Sequence, residues 1–175
     1  MFYGQFVCRD PVTAVVILLK PVIKMEAGEL DVSNPYGPAI AHWQRQSVPL
    51  LSPATDHEID VTFSQFQMLV SDDVRLLYRT TGGFAEHESD NMWSLWSLDR
   101  ISSENRNRES DIVWFADWLI SSHMYGIRYT DSASSAVYLD HNSSDHPPEL
   151  IACNVIEFLQ QYANNPDNVS AWIIE

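Results

Sequence analysis

The amino-acid sequence predicts an α+β fold, a single domain in which helices flank a central sheet that is mixed or mostly antiparallel. Two observations carry this prediction. Apolar residues follow the helical period of 3.6 before Gly82-Gly83 and again near the carboxyl terminus, whereas they alternate with period two between these segments. Helices before and after a group of short strands are typical of the α+β class. A chain of 175 residues is long enough for one such domain with its own core.

Three helices are predicted from their caps. Ser52-Pro53 has the sequence of an N-cap followed by proline at the first helical position, so a helix is expected to begin there. Ser71 is the predicted N-cap of a second helix, which Gly82-Gly83 ends. A closing helix follows Asn154, whose spacing from Glu157 is that of a capping box. The apolar positions of the second helix recur at helical spacing and predict its inner face: Val74, Leu77 and Tyr78.

Four strands are predicted after the glycine pair. Residues 93–98 alternate with period two, and residues 112–119 are apolar almost throughout, as expected of a central strand covered on both faces. Residues 125–130 and 136–140 also alternate and are separated by a polar turn. These last two segments therefore predict an antiparallel hairpin.

The amino-terminal part has a different pattern. Residues 12–19 are rich in β-branched side chains and lie between two prolines, which predicts a buried strand. Residues 28–53 contain many prolines, glycines and polar turn residues, which predict an arm or long loop with a short helix at 39–46. We therefore assign a strand and an arm to residues 1–50, as part of the same domain, and the α+β body to residues 51–175.

Charge restricts the partners that this chain can bind. Its 10 Lys and Arg against 24 Asp and Glu give a formal net charge of −14, which repels nucleic-acid phosphates and anionic membranes. Such a surface suits a basic protein partner, or serves only for solubility. No apolar run approaches the length of a membrane span. Cys8 and Cys153 lie far apart without metal-ligand spacing, which argues against a zinc site and a disulfide scaffold and favours a reducing, cytoplasmic location.

Neither polar cluster of the sequence predicts a catalytic site. Residues 140–146 combine two aspartates with two histidines, and residues 86–90 combine acids with a histidine. Both segments also have the composition of solvated turns, which is the favoured interpretation. The nucleophile motif Gly-x-Ser-x-Gly and phosphate-binding glycine loops do not occur. We therefore expect a protein that is not an enzyme and has no catalytic residues, cofactor or metal site, with an enzyme based on residues 140–146 as the less favoured alternative.

Several short segments, in the same order and at similar spacing, resemble the SUKH superfamily. That superfamily includes the fungal regulator of cell-wall glucan synthesis and many bacterial immunity proteins of polymorphic toxin systems. The resemblance implies a SUKH-like α+β domain that binds proteins. It rests on the following segments: Leu76–Gly83, Trp93–Asp99, Ile112–Asp117, Tyr125–Tyr129, Val137–Asp140 and Val155–Leu159.

The resemblance and the acidic charge together predict an immunity protein that neutralises a basic toxin, such as a nuclease. A regulatory or scaffold protein with endogenous partners is the alternative. Trp114 and Trp118 are expected on one face of their strand, whereas Trp93 and Trp96 have opposite parity, so one of the latter pair should face away from the core and anchor a partner. The predicted partner-binding residues are Glu86, Glu88, Asp90, Trp93, Trp96, Asp140, Asp145 and Glu149.

Overall fold

A five-stranded antiparallel sheet lies at the centre of the computed structural model, which describes residues 34–85, 88–107, 110–142 and 146–166. The strands follow one another in chain order across the sheet. Antiparallel neighbours need only a short turn between them, which permits this order. The strands are β1 (Trp93–Leu95), β2 (Val113–Trp118), β3 (His123–Tyr129), β4 (Ser135–Asp140) and β5 (Glu149–Ala152).

Five helices accompany the sheet in the described part of the chain. Helix α5 covers one sheet face, where the ring of Phe158 lies 5.4 Å from that of Tyr125 and 6.1 Å from that of Phe115. The predicted α+β fold is confirmed. None of the described helices is long and apolar enough to cross a membrane. The helices are α1 (Gly37–Arg45), α2 (Asp56–Ser64), α3 (Asp72–Thr80), α4 (Leu98–Asn105) and α5 (Val155–Asn164).

The predicted hairpin is confirmed as β3 and β4, in which Tyr125 pairs with Leu139. The strand predicted at 93–98 is shorter than expected, because Ser97 caps α4 by accepting a hydrogen bond from the Arg100 N–H. Strand β5 was not predicted. It is four residues long and follows Pro147-Pro148, so its sequence gives little sign of a strand.

Helix α2 begins three residues later than predicted from Ser52-Pro53. Its N-cap is Thr55, whose hydroxyl accepts from the Glu58 N–H at 3.3 Å while the Glu58 carboxylate accepts from the Thr55 N–H at 2.7 Å. This reciprocal capping box satisfies two backbone donors, which a serine N-cap alone does not.

The short helix predicted at 39–46 is confirmed as α1, but the described part of residues 28–53 packs into the core and is not an arm. Both Tyr36 and Trp43 are fully buried. The Trp43 ring stacks on Trp93 with centroids 5.8 Å apart and an interplanar angle of 14°. Large aromatic side chains bury extensive apolar area, so α1 belongs to the core. The strand predicted at residues 12–19 lies outside the described residues.

A β-bulge overturns the expected orientation of two tryptophans. The register between β2 and β3 shifts between Trp114 and Ala116, so Trp114 pairs with Gly126 whereas Trp118 pairs with His123. An extra residue reverses the alternation of side chains, which places Trp114 and Trp118 on opposite faces. The Trp114 ring covers Gly126, where a Cβ atom would lie 2.7 Å from the ring.

The cysteine prediction also needs correction. Cys153, between β5 and α5, is half-buried and takes part in a disulfide bond. The other cysteine of the chain, Cys8, lies outside the described residues. Disulfide formation depends on the distance between cysteines in the folded chain and not on their separation in sequence. The cysteines therefore do not indicate a reducing compartment.

Candidate protein-binding surface

The predicted binding residues do not form one surface. Glu86 and Asp145 lie outside the described residues. Glu88 and Glu149 are exposed, and Asp140 is half-buried at the end of β4. Glu88 precedes β1 and Glu149 lies on β5, which are the two opposite edges of the sheet. The predicted acidic residues before β1 and those on β4 and β5 are therefore separated by the width of the sheet.

The expectation that Trp93 or Trp96 is exposed is wrong. Each has only 1% of its surface exposed. Trp93 packs in the aromatic core, with its ring centroid 4.7 Å from that of Tyr162. The Trp96 Nε1–H donates to an Asp117 oxygen at 2.5 Å, and the Arg100 guanidinium lies 4.5 Å above the Trp96 ring. Trp93 and Trp96 do point to opposite sides of the chain as predicted, but other side chains cover both rings.

Asp90 is part of the core and not of the surface, with 6% exposed. Its Oδ2 atom lies 2.7 Å from the His42 Nε2 atom and also accepts a hydrogen bond from the Tyr162 hydroxyl. Burial, followed by the bond to Asp90, raises the pKa of Tyr162, so its hydroxyl stays protonated and donates. Asp90 therefore joins α1, α5 and the segment before β1, which is a structural role.

An open cavity of about 990 Å³ lies beside β1, and we call it the acidic groove. The segment before β1, the first turns of α4 and the β2–β3 loop bound it. Of the predicted binding residues, Glu88 and Trp96 line it. Its charged lining residues are Glu88, Asp99, Arg100, Glu104 and Asp117. Four carboxylates against one guanidinium give the groove a negative potential.

Four exposed apolar side chains surround the acidic groove, and we call them the tip surface. They are Leu51, Met92, Leu119 and Ile120, with exposed fractions of 40%, 58%, 38% and 94%. A cluster of exposed apolar side chains rimmed by charge is typical of protein-binding sites. None of these four residues was predicted to bind a partner. The available signal was the apolar pair Leu119-Ile120, which continues the run of β2 into the hairpin loop.

The backbone at Met92 and in the β2–β3 loop adopts an uncommon conformation. Met92, Leu119, Ile120 and Ser121 all have positive φ, with values of 66°, 51°, 55° and 64°. This left-handed region is unfavourable for residues with a Cβ atom, and most of all for a β-branched residue such as isoleucine. Backbone strain of this kind concentrates at functional sites.

Asp117 connects the groove to the β2–β3 loop. It is 3% exposed, and its Oδ1 atom lies 3.1 Å from the Arg100 Nη2 atom. The Oδ2 atom accepts from the Ser121 N–H at 2.9 Å and from the Ser121 hydroxyl at 3.3 Å. The loop is also joined to Met92, whose carbonyl accepts from the Leu119 N–H at 3.0 Å. The tip surface is therefore held by hydrogen bonds on both sides.

Two histidines lie at the base of the loop. The His123 ring is 5.2 Å from the Trp118 ring and 5.1 Å from the His141 ring. Burial, followed by the charge of His141, lowers the pKa of His123. Within the described residues no three His, Cys, Asp or Glu side chains are grouped as a metal site would require.

Comparisons with known proteins give no family for this chain. No model of a protein family matches the sequence, and no curated protein matches it.

Proposed function

We propose that this protein is a non-enzymatic binding domain that docks a basic protein partner on the tip surface and the adjoining acidic groove. The observation that carries the proposal is the position of the exposed apolar side chains of Met92, Leu119 and Ile120 next to the carboxylates of the groove. Apolar anchors supply affinity, and surrounding charge accelerates the encounter with a partner of opposite charge.

The partner that we propose is a toxin, for which this protein is the immunity protein. Support comes from the resemblance to the SUKH superfamily and from the formal net charge of −14, which favours a basic protein such as a nuclease. A regulator related to the fungal cell-wall glucan synthesis protein would use the same surface for an endogenous partner. The two functions therefore differ in the partner and not in the binding site.

Growth of bacteria that produce a candidate toxin tests the proposal. The toxin is the product of a gene adjacent to the one that encodes this protein. Coexpression of the wild-type protein should restore growth, and Met92→Asp should abolish the rescue because it places a charge in the apolar contact. Aspartate tolerates the left-handed backbone at position 92. Leu69→Asp is the matched control, since Leu69 is 67% exposed but does not line the groove.

Two outcomes would change the assignment. Equal rescue by wild type and Met92→Asp would contradict binding at the tip surface. If no adjacent toxin is neutralised and an endogenous host protein binds wild type but not Met92→Asp, the regulatory function replaces the immunity function.

A further inference from the structure

Ile120 combines two unfavourable features that its own fold does not require. Its side chain is 94% exposed, so it contributes almost no apolar burial to the core. Its φ of 55° lies in the left-handed region, which β-branched residues avoid. A glycine or asparagine would form the same turn with less strain. Isoleucine at position 120 therefore does not serve stability, and its exposed apolar side chain indicates a binding function.

The surrounding contacts hold this strained loop in one conformation. Asp117 accepts two hydrogen bonds from Ser121, and the Asn142 side chain donates to the Ser121 carbonyl at 3.4 Å. On the other side, the Trp118 Nε1–H donates to the Asn91 carbonyl at 3.2 Å. A loop held in its bound conformation loses less entropy on binding than a flexible loop.

We propose that Ile120 is a preformed anchor that inserts into an apolar pocket of the basic partner, and that Asp117 is the positioning residue that holds it ready. This inference rests on the proposed function, since it names the residue that makes the central contact of the same surface. Asp117 is 3% exposed and acts through its hydrogen bonds to Ser121.

Charge complementarity identifies the rim of the partner's pocket. The exposed carboxylates of Glu88, Asp99 and Glu104 line the groove beside the loop, so the pocket that receives Ile120 carries lysine or arginine at its edge. Arg100 does not offset these charges, because its guanidinium lies 3.1 Å from the buried carboxylate of Asp117. The partner is therefore a basic protein with an apolar cavity, and not a polycation that binds by charge alone.

The first experiment needs no partner. Amide hydrogen exchange of Ser121 is compared in wild type and Asp117→Asn by NMR, with β3 and β4 amides as the control for the fold. Asparagine has one oxygen, which the Trp96 Nε1–H and the Arg100 guanidinium hold, so its amide group faces the Ser121 N–H and cannot accept from it. Loss of this hydrogen bond should accelerate exchange at Ser121 about tenfold while the strand amides keep their protection. Unchanged exchange at Ser121 would overturn the positioning role.

A second measurement covers the case in which Asp117→Asn does not fold. In the wild-type protein, a preformed loop should give backbone order parameters of about 0.85 for Leu119 to Ser121. Values below about 0.6 would overturn the inference, since a mobile loop is not a preformed anchor.

The third experiment locates the contact. A photo-crosslinking amino acid replaces Ile120, and crosslinks are formed in the native host. The control carries the same amino acid in place of Val61, which is 48% exposed on α2. A basic protein should crosslink at position 120 and not at 61, and excess wild-type protein should compete it away. Poly-lysine should not compete at physiological salt, because its binding lacks the apolar contact.

Affinity for the crosslinked protein then tests Ile120 itself. Ile120→Asn should weaken Kd by about 30-fold, because asparagine accepts the left-handed backbone but removes the anchor, whereas Ile120→Leu should bind nearly as wild type. Equal affinity of wild type and Ile120→Asn would overturn the inference and leave the proposed function standing. If neither the crosslinker at position 120 nor wild type binds any basic protein, the proposed function and the inference both fail.

Discussion

The Asp73 carboxylate accepts a hydrogen bond from the Val155 N–H at 3.0 Å, across 82 positions of sequence. The same Oδ2 atom accepts from the Ser135 N–H at 3.2 Å, and Oδ1 accepts from the Val74 N–H at 2.8 Å. Asp73 is 3% exposed. One buried carboxylate therefore joins the start of α3, the start of β4 and the start of α5.

Asp73→Ala should destabilise the protein by about 3 kcal/mol, because it leaves the buried N–H groups of Ser135 and Val155 without acceptors. Denaturant unfolding measures the loss. Asp72→Ala is the matched control, since Asp72 is exposed in the same helical turn and should cost about 0.5 kcal/mol. Equal losses for the two variants would show that the buried network does not join these elements.

Phe158→Ala should cost about 3–5 kcal/mol, because the Phe158 ring contacts those of Trp93, Phe115 and Tyr125 and the cavity left behind cannot close. Glu157→Ala should cost about 1 kcal/mol, since its carboxylate accepts only from the Cys153 N–H and a glutamine side chain of the next turn. Denaturant melts compare the two. Similar small losses would mean that α5 is not docked on the sheet.

The caps and the apolar periodicity made most of the fold predictable. The inner face of α3, the hairpin of β3 and β4 and the Asn154 cap of α5 all occur as predicted, with Asn154 Oδ1 accepting from the Glu157 N–H at 2.7 Å. These features depend on residues close in sequence. The bulge next to Trp114 was not predictable, because it is a shift of register against β3 and the apolar run of residues 112–119 carries no sign of it.

The proposed binding surface was less predictable than the fold. Tryptophan was predicted as the exposed anchor, but the Trp93 ring packs against Phe158 of α5 and the Arg100 guanidinium covers the Trp96 ring. Asp90 belonged to a polar segment typical of solvated loops, yet His42 and Tyr162 bury it. Exposure depends on which segments pack together, and local patterns of residues do not reveal those tertiary contacts.

Acidification should destabilise the protein through His123. Its pKa is lowered below the usual 6.5 by burial and then by His141, so the folded state favours the neutral ring. The unfolded chain binds the proton more readily, and stability therefore falls as the pH decreases below about 6.5. His123→Gln should make the free energy of unfolding less dependent on pH between about 7.5 and about 5.5, which is one unit on either side of the usual pKa of histidine. An unchanged slope would show that His123 does not contribute.

The purified protein should bind no divalent metal stoichiometrically. In the described residues no three potential ligands are grouped together, and His141 contacts an imidazole and not a carboxylate. Metal analysis after dialysis provides the measurement. One tightly held zinc or manganese per chain, lost in the double variant His141→Ala and His146→Ala, would instead support an enzyme based on residues 140–146.

The acidic groove should control the rate of association. Reversing charge with Glu88→Lys, Asp99→Lys and Glu104→Lys should leave the fold intact, because exposed carboxylates contribute little to stability. Association with the basic partner should slow by about tenfold at low salt, since the field that steers the encounter is reversed. Stopped-flow fluorescence at several ionic strengths measures this rate, and the difference should shrink as the screening length falls to about 8 Å at physiological salt.

Glu149→Lys is the control that separates a local field from net charge. Glu149 is exposed on β5, at the sheet edge opposite the groove, so its reversal changes the net charge but hardly changes the potential at the tip surface. The triple variant should therefore reduce the association rate by far more than three times the reduction that Glu149→Lys causes. Rates that depend only on net charge would show that the acid serves solubility, and the apolar contact of Met92, Leu119 and Ile120 would then account for binding without electrostatic steering.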